Sequence, residues 1–226
     1  MTWIIAAVGL ALIALERARP ARDLPPVPGW WARALALNAT QIGAVFLGAV
    51  TWDRWFRGHS AFDLSGWSPW AAGAVAYVVS TFVYYWWHRA RHEWGWLWRL
   101  CHQVHHSPAR LEVITSFYKH PLEQAANGVL TAVIVFPLLG LSFEAAAVNT
   151  LLCGLAEYVY HVNLRTPVWL GYVIQRPEMH RVHHERGKHR RNYADLPIWD
   201  LLFGTFYNPP RGEEVECGFE PARRVV

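Results

Sequence analysis

A chain of 226 residues, 53% hydrophobic and 17% charged, with a formal charge of +4, has room for one domain. Its mean hydropathy is only +0.08, because long apolar runs are diluted by a remainder rich in histidine and arginine. The basic residues flank those runs and the histidine clusters and form no single stripe, which argues against a nucleic-acid partner and fits contact with anionic lipid.

Spanning a hydrocarbon core takes roughly 20 apolar residues, with about 17 as the lower limit. In chain order, residues 2–15 are slightly short, 35–52 and 69–87 fit, and 125–160 suffices for two passes. The first run does not read as a signal peptide: no basic segment precedes it, no small-residue cleavage site follows, and Glu16-Arg17-Ala18-Arg19 comes at once. Arg17, Arg19, Arg22 and Arg33 predict a cytoplasmic first loop, with the amino terminus and residues 53–68 outside. The chain then returns to the cytoplasm at His88, where Arg89, Arg91 and Arg99 agree, although Arg54 and Arg57 in the outer loop run against the rule. Trp30, Trp31, Trp52, Trp55, Trp67, Trp70, Trp86 and Trp87 lie at run ends, where indole rings prefer the headgroup level, some of them also packing in the core. Trp94, Trp96 and Trp98 mark a stretch expected to rest on the membrane surface. Cys101, Cys153 and Cys217 are odd in number and lack C-x-x-C spacing, so no disulfide framework is expected.

Ten of the twelve histidines form an ordered set: His88 and His92; His102, His105 and His106; His120; His161; His180, His183 and His184. The i, i+4 pair and the two H-x-x-H-H patterns put two or three rings on one face of a helix. Imidazole suits iron, zinc and copper, and so many nitrogens exceed what one ion uses, so the pattern predicts two neighbouring ions with positions left for an oxygen ligand. His59 and His189 have no such partners; His59 reads as a loop residue and His189 as part of the basic run 186–191. His120 and His161 join one centre only if 125–160 is a hairpin turning near residues 140–144, and Glu157 at its end should face the protein interior. Two ferrous ions so held could reduce O2 and attack a lipid C–H bond; two readings compete with that oxidation, a dinuclear zinc hydrolase, which usually has a bridging carboxylate absent from these boxes, and a histidine-rich metal transporter, whose ligands should lie within the spans.

The series His88-x-x-x-His92, His102-x-x-His105-His106, Lys119-His120-Pro121-Leu122-Glu123, His161-x-Asn163, Pro177-Glu178-Met179-His180-Arg181-Val182-His183-His184, Asn192-Tyr193 and Trp199-Asp200-Leu201-Leu202-Phe203-Gly204-Thr205 resembles the sterol desaturase and fatty acid hydroxylase superfamily of membrane diiron enzymes. The resemblance covers about residues 75–207. It implies an all-α polytopic membrane bundle of about four to five spans or half-spans with a cytosolic helical cap holding two iron ions. The corresponding division is 1–87 transmembrane helices, 88–124 first box region, 125–160 membrane hairpin and 161–226 second box cap. Carried over, His88, His92, His102, His105, His106, His161, His180, His183 and His184 are the ligands and catalytic set, with His120 a further ligand. Glu157 and Asn163 are expected to orient imidazoles from outside the ligand set, and Asp200 to anchor the end of the cap. The resemblance further implies O2 as co-substrate, a lipid substrate, hydroxylation ahead of desaturation, and electrons from a separate ferredoxin, cytochrome or reductase. Zinc is the expected substitute in a purified sample. Ala194, where relatives often carry glycine, puts the local turn in question. The composition fits a bacterial inner-membrane protein with its metal site on the cytoplasmic face.

Overall fold

The computed structural model describes residues 2–210 and 215–218, so the rest of the expected 161–226 cap lies outside the described residues. Its helices are α1 (Thr2–Ala18), α2 (Trp30–Val50), α3 (Trp52–Trp55), α4 (Pro69–Glu93), α5 (Gly95–Leu97), α6 (Pro121–Val133), α7 (Phe143–His161), α8 (Pro177–His183) and α9 (Ile198–Phe203). A π turn, Trp98–His102, follows α5; another, Ile134–Leu138, prolongs α6; 3-10 turns occupy Val113–Thr115 and Val168–Tyr172. Among the described residues no strand forms beyond an isolated bridge between Glu185 and Cys217.

Among the described residues two helical stretches are long and apolar enough to cross a membrane, Trp30–Trp55 and Pro121–Leu138. The expected run at 69–87 is part of one 25-residue helix, α4, that also carries His88 and His92 in its last turns. Ser68 caps α4 by accepting from the Ala71 N–H, and Pro69 occupies the first turn, where its missing N–H costs nothing. The face of α4 toward α7 is built of small and polar residues, Ala72, Gly73, Ala76 and Ser80, which lowers its hydropathy but lets the two backbones approach. A Cβ on Gly73 would lie 2.5 Å from Val148 Cβ and 2.8 Å from the Ala145 carbonyl, and Ser80 donates to Asn149 Oδ1 at 3.2 Å.

Residues 125–160 fold as two arms joined at Gly140, whose φ of +60° and contact with the Phe62 carbonyl leave no space for a side chain. Ser142 starts the second arm by accepting from Ala145 N–H. The arms do not chiefly pack on each other: the first lies on α2, the second on α4 and α1. Loop 61–64 seals the turn through Ala61, Phe62 and Leu64 N–H bonds to the carbonyls of Pro137, Leu138 and Leu139.

Five long helices therefore run in alternating directions among the described residues, and one end of the bundle gathers the histidine boxes. There the Ala21 N–H reaches the Asn163 carbonyl at the end of α7, and Trp30 and Ala34 at the start of α2 pack with Ile114 and Tyr118. Trp30 is 4% exposed and stacks on Tyr118 at 5.2 Å, so it is a core residue and not a headgroup-level ring, whereas Trp31, Trp55, Trp67, Trp70 and Trp86 are exposed. All three cysteines are free, and Cys101 packs with its thiol against the Leu97 carbonyl.

Candidate metal centre

Nine of the ten ordered histidines converge at that end in two groups whose nitrogens lie within 4.8 Å of one another: His88, His92, His102, His106 and His183, and His105, His161, His180 and His184. The groups adjoin, since His106 of the first stacks on His184 of the second with centroids 4.0 Å apart. Each H-x-x-H-H box straddles both groups. In each, the i, i+4 pair stays together (His102 with His106, His180 with His184), while the i+3 residue (His105, His183) turns to the other group. A single shared face for all three is thus replaced by a division between neighbouring sites. The π turn Trp98–His102 supplies the extra twist that presents His102 beside His92.

The protonation pattern fits a cation. His88 Nδ1 donates to the Tyr193 carbonyl, His161 Nδ1 to that of Glu157 and His183 Nδ1 to that of Arg191, each at 2.7 Å, which leaves a lone pair on every Nε2. Those nitrogens face inward. His92 Nε2 lies 3.3 Å from His88 Nε2 and 3.0 Å from His102 Nε2; His180 Nε2 lies 3.1 Å from both His161 and His184 Nε2. Ligands at 90–109° around an ion with bonds of about 2.1 Å sit roughly 3.0–3.4 Å apart, the same spacing. Both nitrogens of His106 and Nε2 of His183 are buried without a hydrogen-bond partner, an arrangement costly in the absence of a positive charge between them. Desolvation by burial lowers His161 to about 4 and His183 to about 3 and lowers the other seven rings too, so all nine are neutral and ready to ligate at pH 7.

His120 lies outside both groups. Its Nδ1 caps α6 by accepting from the Leu122 N–H at 3.1 Å. Glu157 meets His161 chiefly through its carbonyl; its carboxylate is 3.6 Å from His161 Nδ1 and pairs with buried Lys119. Asn163 hydrogen-bonds away from the rings: its side chain donates to the Arg22 carbonyl and its N–H to Glu16, tying the end of α7 to α1 and the loop after it. His189, which the spacing leaves without partners, has its ring 4.9 Å from His106 and 5.2 Å from Trp98 and bonds the His183 carbonyl, so it borders the first group.

One residue without an assigned role proves central. Glu123 is 0% exposed, accepts from His102 Nδ1 at 2.9 Å and pairs with buried Arg91. It forms a carboxylate–histidine couple that fixes the His102 ring. The signal was present in Lys119-His120-Pro121-Leu122-Glu123, a carboxylate entering an apolar helix. The closing motif serves as a buckle. Asp200 accepts from the N–H groups of Tyr193 and Ala194 and from the Thr205 hydroxyl, and Asn192, in the left-handed region at φ 55°, ties Met179 to Tyr207. This holds in place the Tyr193 carbonyl on which His88 is oriented. Ala194 adopts no positive φ, so alanine is accommodated without strain.

The fatty acid hydroxylase family model matches residues 73–205, and the chain belongs to that family. Among curated proteins it is 30% identical over 167 residues to the alkylglycerol monooxygenase of Caenorhabditis elegans, covering 72% of this chain and 31% of that protein. It is 33% identical to ornithine lipid hydroxylase OlsE of Rhizobium tropici, covering 71% of this chain and 49% of the relative, and 33% identical to human alkylglycerol monooxygenase, covering 67% and 34%. The chain thus spans a third to a half of the length of these relatives. No solved structure matches it significantly.

Proposed function

We propose that the protein is an O2-dependent dinuclear iron oxidoreductase of the membrane that hydroxylates a lipid C–H bond. The observation that carries this reading is the pair of adjoining all-imidazole groups at one end of an apolar helical bundle. In this reading His88, His92, His102, His106 and His183 hold one ion, and His105, His161, His180 and His184 the other. His120 is left to cap a helix. A bound pair of ferrous ions supplies the reducing power for O2 activation, with a separate ferredoxin, cytochrome or reductase restoring the electrons.

The chain's own residues prepare the site. Main-chain carbonyls at Tyr193, Glu157 and Arg191 fix three rings with the free lone pair inward, and Glu123 does the same for His102. Burial excludes water from the second group, while partly exposed His88 and His92 leave the first group open on the side bordered by Trp98, His189 and Tyr193. The named relatives act on an alkylglycerol and on an ornithine lipid, which favours a lipid substrate and hydroxylation over desaturation.

The reading places 1–87 and 125–160 as membrane-embedded segments and 88–124 with 161–226 around the metals, on the cytoplasmic face of a bacterial inner membrane. A dinuclear zinc hydrolase is disfavoured because neither group includes a carboxylate. A transporter is disfavoured because the long helices carry their rings in their last turns and not midway along them. The test is anaerobic loading with Fe(II), metal quantification, and single-turnover exposure to labelled O2 with a lipid extract. Label entering lipid supports the oxygenase; lipid cleavage without O2 consumption overturns it.

A further inference from the structure

The expected cytosolic cap has an apolar outer surface. In α9 the inward residues are Trp199 and the fully buried Asp200, while Ile198, Leu201, Leu202 and Phe203 are 51, 50, 64 and 37% exposed. A solvated helix this short gains nothing from presenting leucines outward, and a contiguous patch of this kind marks an interaction surface. Its neighbour identifies the partner. Val75, Val78, Phe82 and Trp86, spaced 3, 4 and 4 residues apart, form one exposed stripe on α4. That stripe runs directly into α9: Phe82 meets Trp199 at 4.9 Å, Trp86 meets Phe203 at 4.7 Å, and the Trp199 indole N–H donates to the Thr81 hydroxyl at 3.0 Å.

The surface continues past α9. Phe206 lies 5.6 Å from Tyr172 of the 3-10 turn Val168–Tyr172, where Trp169 and Tyr172, and Val173 just after them, are 65, 62 and 58% exposed. This turn is fastened from behind. Asn208 donates to the Val168 carbonyl and accepts from Arg176, and a Cβ on Gly171 would come within 2.6 Å of Asn208 Oδ1.

We propose that α9 and the turn Val168–Tyr172 lie in the leaflet on the metal side, as a collar whose outer face is covered by phospholipid at the boundary of headgroups and acyl chains. This rests on the membrane reading above and goes beyond it, because it moves part of the cap out of the water. The composition fits that depth, with aliphatic side chains on α9 and amphipathic rings in the 3-10 turn. The collar is also two aromatic rings from the first group, Phe203 stacking on Tyr85, Tyr85 meeting Tyr193 and Tyr193 meeting His88.

The test is spin labelling at Leu202→Cys and, independently, at Trp169→Cys, with Cys153→Ala and the buried Cys101 and Cys217 retained. The full chain is reconstituted in phosphatidylcholine and phosphatidylglycerol vesicles, and label accessibility is compared for O2, which concentrates in hydrocarbon, and a water-soluble nickel chelate. Labels at Phe46→Cys, exposed along α2, and at Lys188→Cys, exposed beyond α8, serve as references. Position 202 should side with 46, favouring O2, and position 169 should fall between 46 and 188. If 202 and 169 match 188 while 46 favours O2, the collar is overturned and the membrane reading stands. If 46 also matches 188, the membrane reading fails and the collar with it.

Discussion

The two imidazole groups share a sequence grammar but not a setting. The first draws five rings from α4, the π turn, the turn after it and α8, adds to the main-chain bonds of His88 and His183 a charged outer support in Arg91 and Glu123, and keeps His88 and His92 partly exposed. The second has four rings, all buried, with support mainly from main chain: His161 bonds the Glu157 carbonyl, and His105 approaches the Tyr118 carbonyl at 3.4 Å. Closed sites hold an ion, whereas open ones admit a reactant. The comparison teaches that near-identical H-x-x-H-H boxes contribute to both kinds of environment at once.

Replacing a ring should have the largest effect. His102→Ala or His183→Ala is expected to abolish turnover and reduce bound metal from two ions per chain to at most one, measured by elemental analysis after anaerobic loading. His184 belongs to the second group, so His184→Ala should deplete that group with the first still able to load. Full metal content and turnover in all three variants would contradict the division.

Next in size is the outer support of the first group. Glu123→Gln keeps the shape but leaves Arg91 buried without its counter-charge and weakens the hold on His102, so metal affinity or activity should fall about 10–100-fold. Glu157→Gln should cost less, since the carbonyl and not the carboxylate orients His161; if the two variants match, the contrast between charged and main-chain support is lost.

A smaller, pH-linked effect is expected beside the second group. Burial first, and then the neighbouring Glu157 carboxylate, raise Asp195 to about 7, against an ordinary value of 3.8. A carboxyl raised on folding favours its protonated form in the native state. Its contribution is therefore fully present below about pH 4 and is lost as pH rises through 7. Asp195→Asn should flatten the dependence of melting temperature on pH over that window, read by thermal unfolding in detergent, and an unchanged slope would assign the dependence elsewhere. The smallest effect belongs to His120→Ala, which removes a helix cap worth about 1 kcal/mol. It should leave metal content intact, and a lost ion would return His120 to the ligand set.

Much of this was legible in the chain. Apolar runs separated by basic clusters, and imidazoles at i, i+3 and i+4, depend only on helical periodicity and on the cost of placing polar groups in hydrocarbon. Long helices, the turn at Gly140 and the convergence of nine rings follow from those local rules. The sequence could not say which ring joins which group, because each H-x-x-H-H box lies between the two, its i, i+4 pair turned to one group and its i+3 ring to the other. Nor could it reveal that Glu123 and Arg91 meet 32 residues apart, that His189 borders the site while His120 does not, or that Asn163 faces the loop after α1. Periodicity fixes the direction of a side chain relative to its own helix. Only the packing of one helix against another decides what that side chain meets.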